Sequence, residues 1–336
     1  MSREAVGGGV HLIWGAATCT SLLGLQGCVS GDALSPQALL SWSQVPSGTT
    51  EQLTDVWGSS ASDIWAVGFN GSIVHYDGSH WARVLDGVSY AFTGVWGSGP
   101  SDVWAVGYRS LSNTAPVIFH YDGRAWVQDA AVADTLPSPP LTDIWGTEAS
   151  NVWAVGYAGR VLHFDGVHWV DASVDPSFHA ERIWGTSATD AWIVGPATVL
   201  HFDGSGWMPQ SDAVLTEAQL LAGWGAGRDD LWAAGDVGRG FVHFDGSSWR
   251  RVMPADTTFA GWFWSLWGVT PSCIWAVASS GVSGRGVGAV WQYDGTAWSI
   301  VARDTVNLRG IWASSASDAW AVGDHGAILH GQPLTH

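Results

Sequence analysis

Six histidines recur at one position of a repeated pattern, at His75, His120, His163, His201, His243 and His330, and in five repeats an Asp follows two residues later. Residues i and i+2 of a strand share a face, so each His can take a carboxylate partner, the arrangement of a general base. The repetition argues against catalysis. A catalytic site occupies one place, whereas this dyad occurs five times, with Gln292 replacing the His in one repeat. Lying on the third strand of each repeat, these His cannot converge on one metal, and they read as hydrogen-bonded scaffold. A second series, Asp63, Asp102, Asp190, Asp230 and Asp318 with Asn151, precedes a repeated Trp and is expected to bond turn amides, as short polar side chains do. Cys273 stands at that position in the sixth repeat and reads as a lone, small apolar residue.

Site chemistry is sought where the repeats differ. Asp55 and Asp143 occur at a first-strand position that has no Asp in the other repeats. Two carboxylates facing one channel are what a carbohydrate-active hydrolase or lyase needs for acid and base roles, although no partner base can be named. Arg109, Arg160, Arg239 and Arg285 lie in loops between second and third strands, where a cluster of guanidiniums suits a carboxylate or another anion. Trp262 falls outside the repeated Trp pattern, and Trp264 occupies a position held elsewhere by Thr, Glu, Leu or Arg. Indoles beside polar loops are suited to stacking on a sugar face or an apolar peptide side chain. Trp262, Trp264, Arg239 and Arg285, then Arg109 and Arg160, are the expected ligand-binding residues.

The elements that position these groups come from a period of about forty residues. "LTDVWGSSASDIWAVGFNGSIVHYDGSHWARV" runs from Leu53 to Val84, and its signature returns in six further copies starting near residues 92, 141, 180, 220, 263 and 308. The leading Trp57, Trp96, Trp145, Trp184, Trp224, Trp267 and Trp312 are each followed eight residues later by a second Trp. Short β-branched or aromatic runs separated by Gly, Ser, Asp and Asn make each copy four strands and three tight turns. The last turn carries Asp-Gly, the hairpin signal, since both residues tolerate positive φ. Seven four-stranded units predict an all-β, seven-bladed β-propeller. An open solenoid would need shorter coils and polar capping repeats. The Trp residues that recur in every copy read as core between blades.

The pattern Leu-x-x-Val-Trp, Trp-Ala-Val-Gly, Gly-x-Ile-x-His, Asp-Gly-x-x-Trp resembles the BNR-type repeats, including those of the photosystem II assembly and stability factor family. The resemblance covers residues 53 to 334 and implies a seven-bladed propeller, with an assembly role as one implied function. The Asp-Gly-x-x-Trp turn is also similar to the sialidase Asp-box, but is one residue shorter between Asp and Gly. The Arg-Ile-Pro motif of that family is absent.

Composition narrows the function classes. The chain has 336 residues, 25 Trp, 44 Gly and a net charge of −17, and its 13 basic residues are all Arg. Without Lys there is no Walker A loop, Schiff-base enzyme or Ser-x-x-Lys hydrolase. The acidity disfavours nucleic acid as a partner. At the N-terminus, Arg3, an apolar stretch from Val10 to Leu25 and then Leu25-Gln26-Gly27-Cys28 resemble a bacterial lipoprotein signal. This implies a signal peptide over 1–27, a lipid on Cys28, a tether over 28–38 and a propeller over 39–334, placed at the cell envelope or secreted. The seventh repeat ends after His330 without a fourth strand, and Trp42-Ser43-Gln44-Val45 matches Trp81-Ala82-Arg83-Val84. Residues 39–46 are therefore expected to close the ring. The resulting expectation is a monomeric, non-catalytic module that binds a glycan or protein at its loop-rich rim without a cofactor or metal.

Overall fold

The computed structural model describes residues 40–85, 87–110, 113–129, 139–196, 198–281 and 286–334. These form seven four-stranded antiparallel sheets, six of them with their strands in sequence order from the inner edge outward. Inner strands of successive blades contact one another around the ring, and the seventh meets the first. Blade one is Leu53–Ser60, Asp63–Gly68, Ile73–Tyr76 and Trp81–Leu85. Blade seven takes Leu308–Ser315, Asp318–Gly323 and Ile328–Pro333 from the C-terminal end. Its fourth strand is Leu40–Val45, paired with Trp42 opposite Gly331 and Val45 opposite Ile328. The expected closure by the N-terminal strand is thus observed.

The core lies between blades. Second-strand Trp residues pack edge-on against the fourth-strand Trp of the next blade, with Trp65–Trp126 at 5.4 Å, Trp153–Trp207 at 5.5 Å and Trp320–Trp81 at 5.6 Å between centroids, whereas Trp192 meets Phe244 instead. Trp42 extends the series by meeting Trp275 at 5.8 Å. Edge-to-face contact suits the indole quadrupole and adds about 0.5–1.5 kcal/mol per pair to the apolar area removed from water. The first-strand Trp-Gly step has a separate reason. A Cβ at Gly97 would lie 2.7 Å from the Trp57 ring of the preceding blade, so Gly lets that indole lie flat across the inner strand.

The turns depart from expectation in one respect. In blade one Gly78 has φ +93°, but Asp77 does not adopt positive φ. Its carboxylate instead accepts hydrogen bonds from the amides of Ser79 (2.9 Å) and His80 (3.0 Å). The amide-bonding role expected of Asp63 therefore belongs to Asp77.

Inner strands carry the feature that shapes the site. In blades one, two, three, five, six and seven the register skips one residue near the strand start, namely Thr54, Thr93, Thr142, Leu221, Trp264 and Arg309. A bulge leaves its extra residue outside the ladder and re-aims the side chain. Here it allows two consecutive side chains, such as Thr54 and Asp55, to face the central channel and its mouth, which simple alternation forbids.

Candidate ligand-binding site

The bulged residues surround a cavity of about 390 Å³ at one mouth of the channel, with Glu181 supplying the equivalent position in blade four. Thr54, Thr93 and Thr142 contribute little free polarity there. Each hydroxyl lies within hydrogen-bond reach of a carbonyl on its own blade and one on the next, as Thr54 does with Val67 (3.0 Å) and Phe92 (2.8 Å). The other blades supply the chemistry: Glu181, Leu221, Trp264 and Arg309. Phe69 and Tyr157, just after the second strands of blades one and three, and Tyr108, near the end of the second strand of blade two, complete an aromatic wall.

Both guanidiniums at the mouth are engaged. Arg309 lies 4.4 Å over the Trp264 ring and 3.5 Å from the buried carboxylate of Asp324. Arg182 donates to the Trp264 carbonyl oxygen at 3.3 Å and stands 3.9 Å from Asp143. Burial acts against its charge, but Asp143, Asp55 and Glu181 outweigh that, so the group is held firmly protonated. Burial likewise pushes the Glu181 carboxyl up, opposed by Arg182 and by a hydrogen bond from Tyr157. The Tyr157 phenol is pushed up to about 12, by burial first and then by Glu181.

Below the mouth, Asp55 and Asp143 line a narrower channel of about 160 Å³ together with Arg182. Asp55 accepts the Val95 amide of blade two at 2.9 Å, and Asp143 accepts the Ile183 amide of blade four at 2.8 Å. Burial raises both carboxyls. Asp143 reaches about 7, since Asp55 adds repulsion while Arg182 opposes the shift. The structure thus unites the two carboxylates singled out from sequence, but both are already spent on joining neighbouring blades.

The remaining sequence candidates are dispersed. Trp264 lines the mouth. Trp262 begins the inner strand of blade six, is 37% exposed and does not line the cavity. Arg239 turns outward to the Glu217 carbonyl at 2.7 Å and Asp236 at 3.6 Å. Arg160 is buried with Nη1 3.9 Å from Asp171 on the outer strand of blade three. Arg109, half-buried at the end of a second strand, is also not part of the cavity wall. Arg285 and Cys28 lie outside the described residues. Arg182, Glu181, Arg309 and Tyr157 were missed. The usable signal was the register of Trp264, because its counterparts in other blades form the same wall.

The repeated histidines are scaffold, with a different partner from the one expected. His75 Nε2 lies 2.6 Å from Asp63 Oδ1, while the Ser59 hydroxyl donates to the other Asp63 oxygen. Tyr76 and Asp77 continue into the next turn, so the i+2 pairing expected on the strand is not made. Each His ring also stacks on a second-strand Trp, as His75 does on Trp65 at 4.1 Å. Cys273 is fully buried but is disulfide-bonded, which corrects its reading as a lone apolar thiol. Among the described residues no group of His, Cys, Asp and Glu is placed to hold a metal ion.

No protein-family model and no curated protein sequence matches the chain. Among solved structures it is similar to YCF48 bound to D1 peptide, at 19% identity and a TM-score of 0.67, covering 93% of this chain and 98% of that one. YCF48 from Cyanidioschyzon merolae is similar at 17% identity and a TM-score of 0.65, covering 87% and 98%. A streptogramin B lyase matches at 10% identity and a TM-score of 0.66, covering 89% of this chain and all of the other. At these identities the likeness establishes the β-propeller fold, which carries assembly, binding and lyase activities alike.

Proposed function

We propose that this protein is a non-catalytic binding or assembly module whose ligand, a peptide segment or a glycan, seats in the channel mouth. The observation that carries this reading is the break in seven-fold repetition at the bulged ring: three threonines tie blades together, whereas Glu181, Leu221, Trp264 and Arg309 form an asymmetric wall. A concave, largely apolar cavity with a few converging polar groups is the usual form of a ligand site. The similarity to a propeller described with a bound peptide supports a macromolecular ligand in general. Attachment to the cell envelope through Cys28 belongs to this proposal and rests on the Leu-Gln-Gly-Cys sequence.

A random peptide display library and a glycan array, each screened with the full chain, test the reading. Selected probes are expected to quench or shift tryptophan fluorescence, with at least tenfold weaker binding to Trp264→Ala. Full affinity in that variant overturns the site.

An enzyme acting on carbohydrate is the second reading, favoured by the raised Asp143 carboxyl beside Asp55. The hydrogen bonds that both groups accept from neighbouring blades, and the narrow channel they occupy, argue against it. Release of reducing sugar by wild type but not by Asp143→Asn decides for the enzyme.

A further inference from the structure

The loop arginines singled out from sequence suggested an anionic ligand, but Arg109, Arg160 and Arg239 do not line the mouth. Resting on the binding role proposed for this cavity, we propose that it selects a cationic group, such as the guanidinium or ammonium of a basic peptide side chain. The two arginines at the mouth do not offer unopposed charge. Arg309 faces Asp324, and Arg182 faces Asp143 with Asp55 and Glu181 close enough to act on its titration. Of these carboxylates Glu181 is the one that lines the cavity, in a chain of net charge −17.

The wall also has the chemistry for a cation. Phe69, Tyr108, Tyr157 and Trp264 come from four blades to line one cavity. Aromatic faces carry negative quadrupole potential and attract cations within about 6 Å of the ring centre. Trp264 already does so within the molecule, holding the Arg309 guanidinium 4.4 Å from its ring. Glu181 is the carboxylate lining this wall together with Tyr157, which places an acidic group beside the aromatic faces. A ligand carboxylate entering the same space would meet Glu181 and the π faces, both unfavourable to it.

Matched pentapeptides Ac-Gly-Gly-X-Gly-Gly-NH₂, with X as Arg, Lys, Nε-trimethyl-Lys, Gln or Glu, test the selection by tryptophan fluorescence and saturation-transfer NMR. The three cationic peptides are expected to bind the full chain at least tenfold more tightly than the Glu peptide. Glu181→Gln should reduce that preference at least fivefold and Glu181→Asp should restore most of it, a pattern that general damage to the fold does not produce. Raising salt should weaken the cationic peptides alone. Equal or tighter binding of the Glu peptide, or an unchanged preference in Glu181→Gln, overturns the proposal. Failure of the three cationic peptides to bind overturns it too. If library peptides or glycans nevertheless bind in a Trp264-dependent way, the binding role survives and only the charge selection falls. If no probe binds, both fall.

Discussion

His75 Nε2 and Asp63 Oδ1 lie 2.6 Å apart, joining the third strand of blade one to the turn that enters its second strand. The pair recurs as His120–Asp102, His201–Asp190, His243–Asp230 and His330–Asp318, and blade three uses His163–Asn151 at 2.7 Å. A contact repeated around the ring stabilises blades and says nothing about ligand. Removing one member should therefore be visible in folding alone. Asp102→Ala is expected to cost about 1–3 kcal/mol, because it strands His120 and Ser98 without their acceptor. Burial pushes the Asp102 carboxyl up, but the hydrogen bonds from His120 and Ser98 outweigh it, leaving a net lowered value. Its contribution is thus present above the ordinary carboxylate range and lost as pH falls below it. Urea melts at pH 7 and pH 3 check both points, with probe binding at the mouth unchanged at pH 7.

Asp143 has the opposite sign. Its carboxyl is raised to about 7 by burial, with Asp55 adding and Arg182 opposing, whereas an exposed Asp titrates at 3.8. Its contribution to stability is fully present below the unfolded value and is lost as pH rises through about 7. Melting temperature should therefore decline more steeply from pH 4 to 8 in wild type than in Asp143→Asn. An effect of roughly 1 kcal/mol corresponds to about 2–4 °C between the two slopes. Parallel slopes would show that Arg182 holds Asp143 ionised throughout.

Ring closure makes a quantitative claim on Trp42. Its indole meets Trp275 of blade six, and its strand covers the outer edge of blade seven. Trp42→Ala should cost about 3–5 kcal/mol, the range for truncating a large core aromatic. Deleting residues 40–45 should open the ring, giving a lower, broader calorimetric transition and a larger hydrodynamic radius. Unchanged melting after that deletion would refute closure as a source of stability.

Lipoprotein processing and a disulfide of Cys273 within the same chain exclude one another. Cys19 and Cys28 are the only other cysteines, and cleavage removes the first while acylation consumes the thiol of the second. Intact mass after alkylation of the denatured chain without reductant decides the matter. Processing predicts loss of residues 1–27, an added diacylglyceryl mass on Cys28 and alkylation at Cys273. A chain that keeps residues 1–27 and resists alkylation at Cys273 sinks the lipid anchor.

The blade count, the four-stranded make-up of the blades and the closing role of Leu40–Val45 were all legible in the sequence. Local signals carry them: period-two runs, Asp-Gly turns, and a Trp pair at fixed spacing in seven copies. The same repetition separated scaffold histidines from site residues before any geometry was known. Their partners were not legible, because a strand face brings both Asp77 and Asp63 within range of His75, and only the folded hairpin decides for Asp63. The mouth was hidden for a related reason. Alternation assigns Thr54 and Asp55 to opposite faces, and the same holds for Trp264 and Ser265. The bulge at the start of the inner strand breaks that alternation, while closure of seven blades brings together residues up to about 250 positions apart in the chain. Sequence alone therefore determined the ring and its period; the bulges and ring closure decided that Glu181, Arg182, Trp264 and Arg309 share one mouth.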